Sequence, residues 1–226
     1  AVSREYWYEW VQLLLLVPKL LSMRSLEGLP RRLCSSIERL AAAGEQDQLR
    51  RMHRRHFTGH ARELLEGGGA QNRAEAHARL EEEVENFRLA LDLAGSEALA
   101  ETMELAGVLE GYWKAAGLAT EALHHLERLL ANDCPESLWE LRARLLFTAG
   151  KHAQSIGQLD QADGWMKQCH EEAQARGNRR LLAKALSGMG NIANIRGDGD
   201  EAERLYKESL EDRKSTRLNS SHANIS

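Results

Sequence analysis

Aromatic residues make up only 5% of this 226-residue chain, which has just three prolines and three cysteines. Scarce proline means few enforced breaks, so regular elements can run long. Cys34, Cys134 and Cys169 are odd in number, far apart, and form no CxxC pair. That excludes a disulfide framework and a cysteine zinc site, and it suits a reducing cytoplasm. Long hydrophobic runs are missing too. The most apolar stretch, WVQLLLLVPKLL from Trp10 to Leu21, is 12 residues long with Gln12 and Pro18 inside it. A membrane span needs about 20 apolar residues, so no membrane association is expected. Glu5 and Glu9 stand where a signal peptide carries basic residues, and the stretch reads as a buried or frayed amphipathic segment. Basic charge is not in excess either: the net charge is -4, which counts against a dedicated nucleic-acid binder.

What is present is 42% hydrophobic and 28% charged residues, rich in Ala, Leu, Glu and Arg. This is the composition of a soluble, helix-forming protein, long enough for one or two domains with a core. A repeat runs through it. Gly117, Gly157 and Gly197 lie 40 residues apart, as do Thr120, Asp160 and Asp200, and Ala122, Ala162 and Ala202. The Gly can adopt the left-handed conformation that ends a helix. The Thr or Asp three residues on can cap the next helix, with Asp200 and Glu203 at a capping-box spacing. The Ala suits a close helix contact.

Helical periodicity flanks each turn. Ala202, Leu205, Tyr206, Ser209 and Leu210 occupy the slots held by Ala162, Trp165, Met166, Cys169 and His170, and by Ala122, His125, Leu126, Leu129 and Leu130. Before the turns, Leu146, Ala149, Gly150 and Ala153 align with Leu186, Met189, Gly190 and Ala193, and more loosely with Ala106, Leu109, Glu110 and Trp113. Each unit is thus a helix A, a turn and a helix B, joined by ANDCPES and ARGN, and only stacked hairpins bury such faces. Arg196-Gly197-Asp198 aligns with Ile156-Gly157-Gln158 and Ala116-Gly117-Leu118, so it is a turn and not an adhesion signal.

At these residues the chain resembles the tetratricopeptide repeat, in its longer Leu-Gly-Asn subtype. LSGMGNIANIRGDGDEAERLYKESL (Leu186 to Leu210) fits best, and Glu110 departs from the Gly expected in the first copy. The resemblance covers about residues 100 to 212. It implies an all-α, right-handed solenoid of stacked helix-turn-helix hairpins behind a helical lead-in. It also implies protein–protein interaction through the inner face of the A helices. The slots there fall at Arg144, Phe147, Lys151 and Gln154 in the second copy and at Lys184, Ser187, Asn191 and Asn194 in the third. The Asn amides, donors and acceptors at once, suit the backbone of an extended peptide. Arg144, Lys151 and Lys184 make the groove basic, so the expected partner is an acidic peptide or protein segment.

Upstream, Ile37 to Gly69 reads as two helices broken near Gly44 with a Gly-rich stop. NRAEAHARLEEEVENFRLALDLAG reads as one long helix, with Leu80, Val84, Phe87, Leu91 and Ala94 at a/d-like spacing. Residues 37 to 94 are similar to a linker in bacterial LuxR-type and AfsR-type transcription regulators and STAND-class ATPases; residues 1 to 30 are not. In those proteins the segment follows nucleotide-binding and DNA-binding domains, so the resemblance implies a cytoplasmic fragment of a signalling regulator whose flanking domains are missing. The chain also begins with Ala, as a fragment would. KSTRLNSSHANIS (Lys214 to Ser226) breaks the helical pattern and resembles translated adapter sequence carried by many unrelated chains. On that reading the natural chain continues into more repeats, and the sequon at Asn219 carries no meaning. The expected organisation is an unassigned segment (1–36), a lead-in (37–95), about three repeats (96–213, turns at 117, 157 and 197) and a disordered or artefactual tail (214–226).

No catalytic, cofactor or metal site is expected. His53, His56 and His60 share a helical face, yet HFTGH lacks the Glu of HExxH. RRMHRR (Arg50 to Arg55) is the one cluster that could contact nucleic acid, and this is the alternative function; without interleaved aromatics it reads first as a solvated face or domain contact. AGKH (Ala149 to His152) lacks the upstream Gly and the Ser/Thr of a phosphate loop. The carboxylates of EEEVE (Glu81 to Glu85) splay around a helix, and no GxSxG occurs.

Overall fold

A computed structural model describes residues 46–66, 73–92 and 99–223. The readings of residues 1–36, of Cys34, of the break near Gly44 and of Ala94 fall outside them. Among the described residues, all regular structure is α-helix apart from one 3₁₀ turn. The described residues fall into two compact units that divide between Leu105 and Ala106.

In the first unit, α1 (Gln46–Glu66), α2 (Arg73–Glu82) and α3 (Val84–Asp92) pack together with the start of α4 (Leu99–Ala115). Phe57, Leu80, Phe87, Leu91 and Met103 are buried, and the Phe57 and Phe87 rings meet edge to face at 5.5 Å. The one long helix expected over this stretch is instead two. At Glu83 the backbone N–H bonds to the carbonyl of Leu80, three residues back, which tightens the turn; the Glu83 carboxylate then accepts from the Asn86 amide. The apolar spacing survives the break: Leu80, Phe87 and Leu91 are buried and Val84 is half-buried.

The second unit continues α4 into α5 (Ala119–Leu130), a 3₁₀ turn (Glu136–Leu138), α6 (Trp139–Ser155), α7 (Leu159–Ala175), α8 (Arg179–Ile195) and α9 (Gly199–Ala223). From α5 on, each helix packs on the next, and α6 also packs on α8, so the A helices lie side by side. This is an all-α solenoid of tetratricopeptide-like hairpins. Four of its five connections are built alike. Gly117, Gly157, Gly177 and Gly197 have φ of 69, 79, 64 and 83°. After each, the next residue's N–H reaches back five positions: Leu118 to Trp113 O, Gln158 to Ala153 O, Asn178 to Ala173 O and Asp198 to Ala193 O, at 2.8–2.9 Å. The Gly N–H bonds to the carbonyl three residues back, completing a Schellman motif at each of these four turns, whereas the α5–α6 connection passes through the 3₁₀ turn. Glycine is needed because an L side chain at positive φ costs roughly 1–2 kcal/mol.

Two local expectations are corrected. The helix caps are not Thr120, Asp160 and Asp200, which lie inside the first turns of α5, α7 and α9. Two helices are capped by the residue directly after the glycine: Asp198 Oδ1 accepts from the Glu201 N–H at 3.1 Å, and Asn178 Oδ1 from the Leu181 N–H at 3.1 Å, while Leu118 and Gln158 make no side-chain cap. The helix starts two residues earlier than the sequence pattern suggests, which moves the capping-box spacing to Asp198 and Glu201. In addition, the backbone does not leave the helix at Lys214, since α9 runs to Ala223 and no Gly or Pro intervenes to stop it.

Packing follows the 40-residue register. Ala122, Ala162 and Ala202 are buried. Met166 is fully buried between Gly150 of α6 and Gly188 of α8: a Cβ built on Gly150 would lie 2.8 Å from Met166 Cε, and one on Gly188 2.6 Å from its Sδ. A Cβ on Gly190 would lie 2.8 Å from Cε1 of Tyr206. In the first copy the B-helix slot holds the shorter Leu126, and helix A there carries Glu110.

Burying a side chain such as Met166 stabilises by roughly 1.5–3 kcal/mol, so the two glycines beneath it are worth more than their helix propensity. Gly150→Ala should lower stability by about 1–2 kcal/mol through overpacking. In a Met166→Ala background the same change should raise it, by up to about 1 kcal/mol of helix propensity. Denaturant melts of the four proteins measure this, and an equal effect in both backgrounds would refute the seating of Met166.

Candidate functional site

The inner stripe of α6 and α8 brings most of the expected groove residues together. Phe147, Lys151 and Gln154 from α6, and Lys184, Ser187 and Asn191 from α8, line an open cleft of about 350 Å³. Helical spacing does this: residues three and four apart share a face, and α6 and α8 lie adjacent. The cleft also takes Ser155, Gly188 and Ile195, which the sequence reading missed. Ser155 and Ile195 continue the stripe one turn beyond Lys151 and Asn191, so the i, i+4 pattern held the signal. Gly188 adds backbone to the lining, and the Cβ it lacks would meet Met166 of α7. Arg144 and Asn194 are exposed and do not line this cleft.

Phe147 is the centre of charge as well as of shape. Lys151 Nζ lies 5.6 Å from its ring centroid and Lys184 Nζ 5.5 Å, both within the range of a cation–π contact. Lys151 is also ion-paired to Glu110 of α4 at 3.1 Å. Burial holds the half-buried Lys184 below the usual ammonium range, and Arg180, Arg144 and Lys151 push the same way while Glu110 opposes them. The cleft therefore carries a surplus of positive charge although the chain is acidic overall.

Asn191 departs from expectation. Its Oδ1 accepts a hydrogen bond from Tyr206 OH at 2.7 Å, which engages one of the two lone pairs of the amide oxygen and ties the groove residue to α9. A second cleft of about 320 Å³ adjoins the first along the A helices. It is lined by Glu110, Trp113, Lys114, His152 and Ile156, and it shares Lys151 and Ser155 with the first. Two of its lining rings, Trp113 and His152, meet edge to face at 6.3 Å, and Trp113 lies parallel to His125 at 6.2 Å.

The remaining sequence features resolve into structure. Both charges of Arg196-Gly197-Asp198 are occupied: Arg196 bridges Asp160 at 2.5 Å and Asp163 at 3.5 Å, and Asp198 caps α9. In RRMHRR, Arg54 is buried, and Arg54 and Arg55 both lie on Glu101, at 3.7 and 2.6 Å. Ala149 and His152 of AGKH are buried within α6. Glu85 of EEEVE is exposed and pairs with Arg88. Cys169 is a core residue whose thiol is pushed up to about 12 by burial, then by Glu172, far from a reactive thiolate. The three histidines separate: His56 and His60 stack at 6.1 Å on the open side of α1, while His53 turns into the core against Phe57, 4.6 Å away. Among the described residues no group of three or more His, Cys, Asp or Glu is placed to hold a metal ion. Nor is any helix among them long and apolar enough to cross a membrane.

Burial, then the neighbouring His56, lowers the His53 pKa from 6.5 to about 4. In the unfolded chain it titrates near 6.5, so between these values the unfolded state binds the extra proton and stability decreases as pH is lowered. His53 thus contributes fully above about pH 6.5 and loses up to about 3 kcal/mol as pH approaches 4. His53→Gln should flatten that part of the profile. Urea melts at about pH 7 and about pH 4.5 test it, and the same pH slope in both proteins would contradict it.

No family model matches the chain. A zebrafish (Danio rerio) protein named tetratricopeptide repeat protein 19, mitochondrial, is 35% identical over 66 residues, which is 29% of this chain. The match spans only 16% of that relative's length. Among solved structures, the crystal structure of MamA aligns over 80% of this chain and 95% of its own, with a TM-score of 0.41 and 16% identity. The four Schellman turns and the 40-residue register make the second unit a helical repeat, and the local sequence match supports a tetratricopeptide-like repeat in the chain.

Proposed function

We propose that the chain is a protein-interaction scaffold whose A-helix groove takes an extended acidic peptide or protein segment. The observation that carries this is the pair of ammonium groups on the Phe147 ring, in a cleft open to solvent and with Arg144 and Arg180 close enough to lower the pKa of Lys184. A ligand carboxylate there gains a charge-assisted bond, and its chain finds the Asn191 amide as a donor for a peptide carbonyl. Lys151, Gln154, Ser187 and Lys184 are the contact residues in the cleft, Arg144 and Asn194 flank it, and Phe147 supplies the apolar surface. The reading assigns no catalytic step and no cofactor.

The same proposal extends to context. The similarity of residues 37–94 to the linker of LuxR-type and AfsR-type regulators supports a cytoplasmic bacterial signalling protein, with ATPase and DNA-binding domains encoded alongside. The flanking genomic sequence tests that part. The alternative, nucleic-acid contact through Arg50 to Arg55, gains no support from the geometry, because Arg54 is buried and both Arg54 and Arg55 are engaged by Glu101.

Fluorescein-labelled hexaglutamate is a sufficient probe for the groove. Lys184→Ala should weaken its binding about fivefold, as expected for one solvent-accessible ionic contact, and leave the thermal melt unchanged. Equal affinity for hexalysine, or crosslinks that fall on α7 and α9 instead of α6 and α8, would sink the groove assignment.

A further inference from the structure

Glu110 breaks the repeat's own rule. In the slots 40 and 80 residues on stand Gly150 and Gly190, where Met166 and Tyr206 leave no room for a Cβ. In the first copy the facing B-helix residue is Leu126, shorter than either, and helix A there carries a glutamate. Its carboxylate does not stay on its own hairpin. It crosses to the next A helix and meets Lys151 Nζ at 3.1 Å. Both side chains are only about one-third exposed, so the pair is partly screened from water. Lys151 belongs to both clefts, and Glu110 lines only the second.

The groove thus holds a tethered anion on one of the two ammonium groups that frame Phe147, while the Lys184 ammonium lies over the same ring. We infer that Glu110 is an affinity-setting residue: an internal carboxylate that occupies Lys151 and that an acidic ligand must displace to engage both lysines. This rests on the proposed groove function and adds a prediction that function alone does not make. If Lys151 and Lys184 were equivalent free cations, removing a neighbouring carboxylate would change affinity only through the general field. Under displacement, the gain requires Lys151 itself. The ligand class follows: a segment with two carboxylates that can straddle the Phe147 ring should respond more strongly than one with a single carboxylate, since Lys184 alone serves the latter.

The test is a cycle of four proteins with fluorescein-labelled hexaglutamate: wild type, Glu110→Gln, Lys151→Gln and the double variant. Glu110→Gln should tighten binding about three- to tenfold, the range of one ionic contact released. Lys151→Gln should abolish that gain, so that the double variant binds like Lys151→Gln alone. Glu110→Asp, which keeps the charge, should stay within about twofold of wild type, and circular dichroism melts confirm that each variant is folded. A peptide with a single glutamate should show a smaller gain. If wild type binds hexaglutamate and Glu110→Gln binds it equally or more weakly, the displacement idea is overturned and the groove stands. If the gain survives in the Lys151→Gln background, Glu110 acts through the general field and the idea is likewise overturned. If neither wild type nor Glu110→Gln binds, the groove function itself is wrong.

Discussion

The second unit depends on how closely a B helix can lie against its A helices. That distance is set by missing side chains: Gly150 and Gly188 hold Met166 between them, and Gly190 receives the Tyr206 ring. Interiors are packed densely, so a methyl group at any of these points would have to move a neighbour. The inner stripe follows from the same approach. With α7 seated against both α6 and α8, those two A helices come side by side, and Phe147 and Lys184 can meet across them.

Polar contacts reinforce this arrangement between hairpins instead of driving it. Arg142 reaches from α6 to Glu172 of α7 and to the Leu130 carbonyl, and Arg196, at the C-terminal end of α8, bridges Asp160 and Asp163 of α7. Such partly exposed pairs contribute about 1 kcal/mol or less each, so they fix register more than they supply stability. Ser209 is the buried exception, donating to the Ala183 carbonyl at 2.7 Å and so tying α9 to α8 where the second copy has Cys169.

The hairpins were legible in the sequence because each rests on a local rule repeated at one period: glycine after a helix, alanine at a close contact, apolar residues at helical spacing. Where reading failed, the deciding contact was finer or more distant than that rule. Capping belongs to Asp198 and Asn178 because the Schellman bonds begin each helix directly after the glycine, a shift of two residues that spacing alone does not reveal. ARGN looked like a linker, yet Gly177 makes the same turn as its neighbours. In the groove, Phe147, Lys151 and Lys184 came from the A-helix stripe alone. The Tyr206 bond to Asn191 and the reach of Glu110 to Lys151 did not, since each joins side chains on different helices whose orientations no pattern encodes.

The turns and the packing have different periods, and this bears on how such a chain can change length. Gly157, Gly177 and Gly197 share one backbone geometry every 20 residues, whereas the faces that pack repeat only every 40. Excising residues 158–177 would preserve the bend but join two A helices, setting glycine faces opposite each other with nothing to fill them. Excising residues 158–197 would instead place Asp198 directly after Gly157 and present Tyr206 to the slot that Met166 leaves at Gly150. Recombination in the underlying gene can therefore add or drop a whole hairpin without a mismatched joint, and the groove lengthens or shortens in the same steps.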